Sequence, residues 1–301
     1  MDRELNAGPN STIVRTNGRE AVDWQAARNG SLLHAGAAFT ARVAPGVAAA
    51  LLEVLFRRVR RHPVPGRERG WLARARRLPP VTAFGRRLPV WSWGEGPTVL
   101  LVHGWEGRGS QMGAFAEALA AAGFRAVAYD APAHGASRGS MSSMPALWTA
   151  VEAVATAVGP VAGLVAHSAG AAATARAMAR GLPVGRAVFA APAADPGRFL
   201  GVAADWLGLP PEVARRTQRR IERRFDLRFE DLSVPAMAPA LDVPLLVVHD
   251  RDDAEVPWRE GEAIAASWPG ARLVTTDGLG HRRLLREPAV VEQAVRFLGA
   301  G

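Results

Sequence analysis

The stretch Val161-Ala-Gly-Leu-Val-Ala-His-Ser-Ala-Gly170, followed by the alanine-rich run Ala171 to Arg180, decides the fold. Six mostly apolar residues read as a buried strand, and the alanine-rich segment reads as a helix, since alanine gives up no side-chain entropy there. Ser168 falls at the join. A serine between strand and helix sits on a sharp turn that lifts its hydroxyl above the sheet, and its neighbours must be small for the backbone to turn. Ala166, Ala169 and Gly170 meet that need. The helix that follows directs its positive end at the serine, where it favours developing negative charge.

Outward from this join, short β-rich runs alternate with helical ones, as in a mostly parallel sheet covered on both faces. Eight strands are expected: 81–85, 88–93, 98–102, 125–129, 161–166, 186–190, 244–249 and 271–276. About 50 residues separate the sixth and seventh, too many for one helix with two ordinary loops. A helical insertion over about 192–243 is therefore expected, with Pro211 opening one of its helices. Its Phe199, Leu200, Trp206, Leu207 and Leu209 either form an apolar lid or pack the insertion onto the core. Residues 1–80 read as an N-terminal extension: a polar arm, a helical pattern over about 35–61, and a Pro/Gly/Arg connector from His62 to Pro80. Residues 81–301 carry the rest.

Three further segments hold chemistry. Thr98-Val-Leu-Leu-Val-His-Gly-Trp105 is a buried strand running into His-Gly-Trp. Pro244-Leu-Leu-Val-Val-His-Asp-Arg-Asp-Asp-Ala-Glu-Val-Pro257 is a strand running into an acidic loop that holds Asp250, Asp252 and Asp253. Thr276-Asp-Gly-Leu-Gly-His281 is a glycine-rich loop able to bend an imidazole back over the sheet, and of the seven histidines only His281 follows the acidic loop.

Together these segments resemble the α/β-hydrolase superfamily, over roughly residues 81–298. Ala166-His167-Ser168-Ala169-Gly170 is similar to its Gly-x-Ser-x-Gly elbow, with alanine for the first glycine. Asp130-Ala-Pro-Ala-His-Gly-Ala-Ser137 is similar to a shaping turn of the family, which gives Asp130 and His134 a structural rather than catalytic part. The resemblance implies an eight-stranded, mostly parallel twisted α/β sheet with a helical cap. It also implies a serine hydrolase of esterase or lipase type, with Ser168 as nucleophile, His281 as base and an acid between them in the chain. In relatives that acid stands four residues before the proline, which selects Asp253, with Asp252 the alternative. The implied oxyanion donors are the backbone N–H groups of Trp105 and Ala169. Hydrolysis of carboxylic esters (EC 3.1.1) through an acyl-enzyme is the expected reaction. Acyl transfer, cleavage of amide, thioester or C–C bonds, and a non-catalytic binding role are the alternatives.

Composition narrows the classes. Cysteine is absent, which removes disulfides, thiolate metal sites and a cysteine nucleophile. No cofactor and no metal are expected, since the acidic loop has no His/Asp partner cluster at ligand spacing. The net charge is +9 and every basic residue is arginine, yet no zinc finger, P-loop or RNA-binding motif accompanies it, so the expected partner is a small acyl substrate rather than nucleic acid. Met1 to Glu20 lacks the basic start and apolar run of a secretory signal, and a cytoplasmic protein is expected. Val43 to Phe56 is apolar but interrupted by Pro45 and Glu53, and shorter than the ~20 residues of a spanning helix. It reads as a docked surface helix. Attachment to anionic lipid through Arg57, Arg58, Arg60 and Arg61 is the alternative.

Overall fold

The computed structural model describes residues 11–15 and 31–300. In chain order the elements are β1 (Ser11–Arg15), α1 (Ser31–Val43), α2 (Pro45–Arg57), α3 (Gly66–Ala73), β2 (Arg76–Ala83), β3 (Arg86–Trp93), β4 (Thr98–Val102), α4 (Gly113–Ala121) and β5 (Arg125–Tyr129). They continue with α5 (Met144–Val158), β6 (Val161–His167), α6 (Ala169–Ala179), β7 (Arg186–Ala190), α7 (Arg198–Trp206), α8 (Pro211–Phe225) and α9 (Val234–Met237). The chain closes with β8 (Leu245–Asp250), α10 (Trp258–Ser267), β9 (Arg272–Asp277), α11 (Gly280–Arg283) and α12 (Pro288–Gly299).

The strands form one sheet in the order β1-β9-β8-β7-β6-β4-β5-β3-β2. Every pairing is parallel except β2 with β3 and β3 with β5. All eight expected strands are present. A ninth, β1, adds in parallel to the far edge of β9, pairing Ser11 with Leu273 through to Arg15 with Asp277. Its five residues lie in what the sequence presents as a polar arm; the β-branched Thr12-Ile13-Val14 is too short a run to show a strand period, and the open edge of β9 supplies the backbone partners.

Side chains alternate between the two faces with the strand period of two. Leu100 and Val102 of β4, Leu164 and Ala166 of β6, and Phe189 of β7 join a core with α5, α6 and the cap. Leu101, Val165, Val188 and Val248 point the other way, onto Phe115 and Leu119 of α4 and Val291 and Leu298 of α12. Helix α6 lies close to the sheet because Ala171, Ala172, Ala173, Ala175 and Ala177 present only methyl groups, each at most 1 % exposed.

Two further features depart from expectation. The stretch from His62 to Pro80, expected as a connector, contains α3 and the first half of β2, which starts at Arg76 rather than at 81. Pro79 and Pro80 are tolerated because β2 is an edge strand, where missing N–H donors cost little, and the register shifts between Leu78 and Val81. Helix α3 is held by polar contacts no sequence period reports. Buried Glu68 takes both arms of the Arg108 guanidinium at 2.6 and 2.8 Å and the Ser110 hydroxyl at 2.7 Å.

Between β7 and β8 lie α7, α8 and α9, the expected helical insertion, with α8 starting at Pro211. Its Leu200 and Leu209 are buried, whereas Trp206 is 47 % exposed, so most of the apolar residues considered for a lid pack the cap down. Helix α2 lies against α8: Thr217 Oγ1 donates to the Ala49 carbonyl at 3.1 Å, and buried Glu53 accepts from Arg57, Arg220 and Arg224.

Candidate active site

Ser168 occupies the one residue between β6 and α6, with φ 54° and ψ −127°. A serine at positive φ is strained by ~1–3 kcal/mol and persists only where its surroundings hold it. Here its N–H donates to Ala190 O at 3.1 Å, and its own carbonyl accepts from Ala171 N at 3.0 Å. The turn also needs two glycines for space. A Cβ on Gly170 would stand 2.5 Å from His103 O, and one on Gly104 would stand 2.8 Å from Ser168 Cβ. The loop after β4 and the elbow after β6 therefore touch backbone to backbone. Ala166 lies in β6 opposite Val102, fully buried, and its methyl group is accommodated where the family's elbow has glycine.

His281 is carried by α11, just after the glycine-rich loop, where Gly278 and Gly280 take φ of 77° and 63°. Its Nδ1 lies 2.7 Å from Asp253 Oδ2, and the imidazole and carboxylate are both nearly inaccessible to solvent. The backbone N–H groups of Glu255 and Val256 donate to Asp253 Oδ1 at 2.9 and 2.8 Å. His249 Nε2 stands 3.3 Å from Oδ2, and 3.0 Å from Val256 O. Burial pushes the Asp253 carboxyl up, but the hydrogen bonds from His249 and His281, the charge of His281 and the Val256 amide together hold it well below the usual carboxylate range. With Nδ1 engaged by a carboxylate, Nε2 of His281 is the nitrogen left for proton transfer.

The imidazole is brought towards the elbow from the residue before the serine. His167 Nε2 donates to His281 O at 3.0 Å, and the two rings lie 4.6 Å apart between centroids. Burial, with the neighbouring His281, lowers the His167 pKa well below its ordinary value, so His167 is a neutral donor.

Of the other acids, Asp252 is exposed and accepts from Gly278 N at 2.9 Å. Asp250 is fully buried and accepts four hydrogen bonds: from Thr276 Oγ1 at 2.6 Å, Leu279 N at 3.0 Å, Gly280 N at 2.9 Å and Asp252 N at 3.0 Å. It ties the histidine loop to the end of β8. The sequence places Asp250 in an acidic loop without distinguishing this part, and the partial signal is the buried strand that runs straight into it. His249, likewise the last histidine of a strand, gives no sign in the sequence that it faces Asp253.

The loop after β4 is anchored by His103. Its Nε2 accepts from Ala131 N at 3.0 Å, so the protonated Nδ1 donates to Gly104 O at 2.8 Å. Burial and nearby His134 push its pKa down to about 3, keeping the ring neutral. Trp105 packs partly buried against the core, with His134 edge-on to it at 5.4 Å. Among the described residues no acceptor takes the N–H of Trp105 or Ala169. Asp130 and His134 shape their turn: Asp130 accepts from Ala136 N within it and from Gly109 N of the loop after β4, both at 2.7 Å, and His134 Nδ1 donates to Pro132 O at 3.0 Å. Among the described residues no cluster of three or more His, Asp or Glu side chains is arranged to hold a metal ion.

The sequence of residues 99–294 matches the Alpha/beta hydrolase family, well over half of the chain. The chain belongs to this family. Solved structures of similar fold include the esterase EaEST from Exiguobacterium antarcticum, at 17 % identity and a TM-score of 0.57, covering 73 % of this chain and 98 % of that one. The esterase RhEst1 from Rhodococcus sp. ECU1013 is 21 % identical with a TM-score of 0.55, covering 75 % and 99 %. A bromoperoxidase from Bacillus anthracis is as similar in fold, at 16 % identity and 0.57, covering 75 % and 100 %. No curated protein matches the chain in sequence. These neighbours, all under 25 % identical, share the fold of the family and carry different activities in their own names.

Proposed function

We propose that the protein hydrolyses carboxylic esters through an acyl-enzyme. His281 Nε2 takes the proton from Ser168 as the serine oxygen attacks the ester carbonyl. Asp253 holds the imidazole tautomer and stabilises its charged form, and the amides of Trp105 and Ala169 receive the oxyanion. The alkoxide leaves with the proton from His281. Water, deprotonated by the same imidazole, then attacks the acyl-serine and releases the acid.

The observation that carries this reading is the 2.7 Å contact of His281 Nδ1 with a buried carboxylate, in a loop clamped to the residue preceding a strained serine. A serine on an unstrained turn, or a histidine without a buried acid, would have no such use for these constraints. The two amides support it further, since both come from backbone segments pressed together at Gly104 and Gly170. Covalent labelling by a fluorophosphonate, together with turnover of p-nitrophenyl esters of graded chain length, tests it. Ser168→Ala is expected to keep the fold and to lose labelling and turnover by about 10³-fold or more. Undiminished hydrolysis by that variant would end the proposal.

A further inference from the structure

The described part of the chain exposes ten large apolar side chains, and six of them stand on the α1–α2 hairpin: Phe39, Val43, Val47, Leu51, Val54 and Leu55. Each is at least half exposed. On α2 the four recur at three- and four-residue spacing and so share one face, while Ala48, Ala49, Leu52 and Glu53 fill the opposite face against the cap and the core. Helix α7, which touches α2, adds exposed Val202 and Trp206. Scattered exposed apolar residues are ordinary, but a contiguous group confined to neighbouring helices marks a surface that is covered in use.

The charges around it select the cover. From residue 31 to 61 the only acid is Glu53, and it is turned inward onto Arg57, Arg220 and Arg224. Arg42 and Arg58 are exposed at the ends of the two helices, followed by exposed Arg60. Helix α8, packed beside α2, carries six arginines against two glutamates. The described surface is thus an apolar face whose border carries more arginines than carboxylates; the acids on the helices that touch α2 include exposed Asp205 of α7 and partly exposed Glu212 of α8, the latter paired with Arg215, Arg216 and Arg219. The excess of arginine matches an anionic surface better than a second copy, which carries the same positive excess.

We propose that the α1–α2 face docks the protein onto an anionic lipid bilayer. No helix among the described residues is long and apolar enough to cross a membrane, and none is needed, because an interfacial helix buries one face only while its arginines meet the headgroups. The face is tied to the loops around the serine. Where the chain leaves α2, Val59 N donates to Ser140 O at 2.9 Å, and Arg60 N donates to Oε1 of Glu106, the residue after Trp105, at 3.1 Å. Docking would therefore hold the proposed oxyanion loop near the lipid surface, although the docking itself does not depend on the reaction assigned to the site.

Co-sedimentation of the full chain with vesicles tests this, using phosphatidylcholine alone and phosphatidylcholine mixed with phosphatidylserine. Pelleting with the mixed vesicles is expected, weaker with phosphatidylcholine alone and weakened by added salt. Arg42→Gln with Arg58→Gln should reduce binding about tenfold or more. Val47→Ser, Leu51→Ser and Leu55→Ser combined should abolish it; these side chains are already half exposed, and an unchanged circular dichroism spectrum would verify the fold. Failure to pellet with either vesicle at low salt would overturn the proposal. So would undiminished binding by the triple-serine variant. A dimer of the native chain that this variant dissociates, without vesicle binding, would show that a second copy covers the face instead.

Discussion

Replacing Asp250 with asparagine is the sharpest test of how the site is held together. Asp250 does not touch His281, yet its two oxygens accept four hydrogen bonds in a fully buried setting. An asparagine can keep the two bonds at Oδ1, from Asp252 N and Gly280 N. Its NH2 group would replace Oδ2 and face the Thr276 hydroxyl, which can rotate to accept, and the Leu279 N–H, which cannot. One buried amide left facing a donor costs about 1–3 kcal/mol, and changing the remaining bonds from charge-assisted to neutral adds about 1–2 kcal/mol. The expected loss is about 2–5 kcal/mol, a large part of the ~5–15 kcal/mol that keeps a domain folded. Leu279 and Gly280 immediately precede His281, so turnover should also fall, by about tenfold or more if the imidazole moves by a fraction of an ångström. Urea unfolding followed by tryptophan fluorescence would give the first quantity. Steady-state hydrolysis of the best p-nitrophenyl ester, under conditions where the variant stays folded, would give the second. Asp252→Asn is the control: exposed and holding one bond to Gly278 N, it should lose no more than about 1 kcal/mol. An Asp250→Asn protein with native stability and native turnover would refute the reasoning.

In Asp253→Asn the imidazole loses the anion that sets its tautomer, and kcat should drop by about 10⁴, measured on protein verified as folded; a fall of only a few-fold would point to another acid. Gly170→Ala would drive a methyl group onto His103 O, so the loop and elbow must separate, at about 1–3 kcal/mol and with a loss of turnover, whereas Ala166→Gly should leave turnover largely intact. A native unfolding midpoint in Gly170→Ala would contradict the close approach. Acid should destabilise the protein well above the carboxylate range. His103 at about 3, His134 at about 4 and His167, also lowered, are buried and neutral when folded, while in the unfolded chain they bind protons below about 6.5. Their contribution is thus present above about pH 6.5 and lost as pH falls, by up to ~1.4 kcal/mol per pH unit for each. Asp130, raised to about 6 chiefly by burial, acts in the opposite sense between about 3.9 and 6 and offsets one of the three. Urea midpoints at about pH 7, 5.5 and 4.5 should decline steadily, and a flat series would contradict the assignment of these rings as neutral.

The elbow, the histidine loop and the central strands were legible because each is written in local chemistry. Val161 to Ala166 is apolar where a buried strand must be, the residues around Ser168 are small where the turn is tight, and Gly278 and Gly280 stand where the backbone takes positive φ. The insertion showed itself by chain length alone. Other parts left no such trace. Helix α3 is fastened by the pairing of Glu68 with Arg108, forty residues apart, and β1 gains its place from the free edge of β9, more than two hundred residues away.

Among the three neighbouring aspartates, the resemblance to relatives selects Asp253 by its distance from Pro257, but what each carboxylate touches is visible only in the fold. Local chemistry marks the strand ends after β6, β8 and β9, and resemblance to the family implies a serine, an acid and a histidine there, because strand period, turn size and helix start are properties of short segments. Which carboxylate faces the imidazole depends on the path of the loop after β8: it turns Asp253 to His281, buries Asp250 under the glycines and leaves Asp252 in solvent. That choice is set by donors from β9, α11 and the loop's own amides, which converge only once the sheet is assembled. The nature of the chemistry is therefore in the sequence, while the partner of each charge is decided by contacts between segments far apart in the chain.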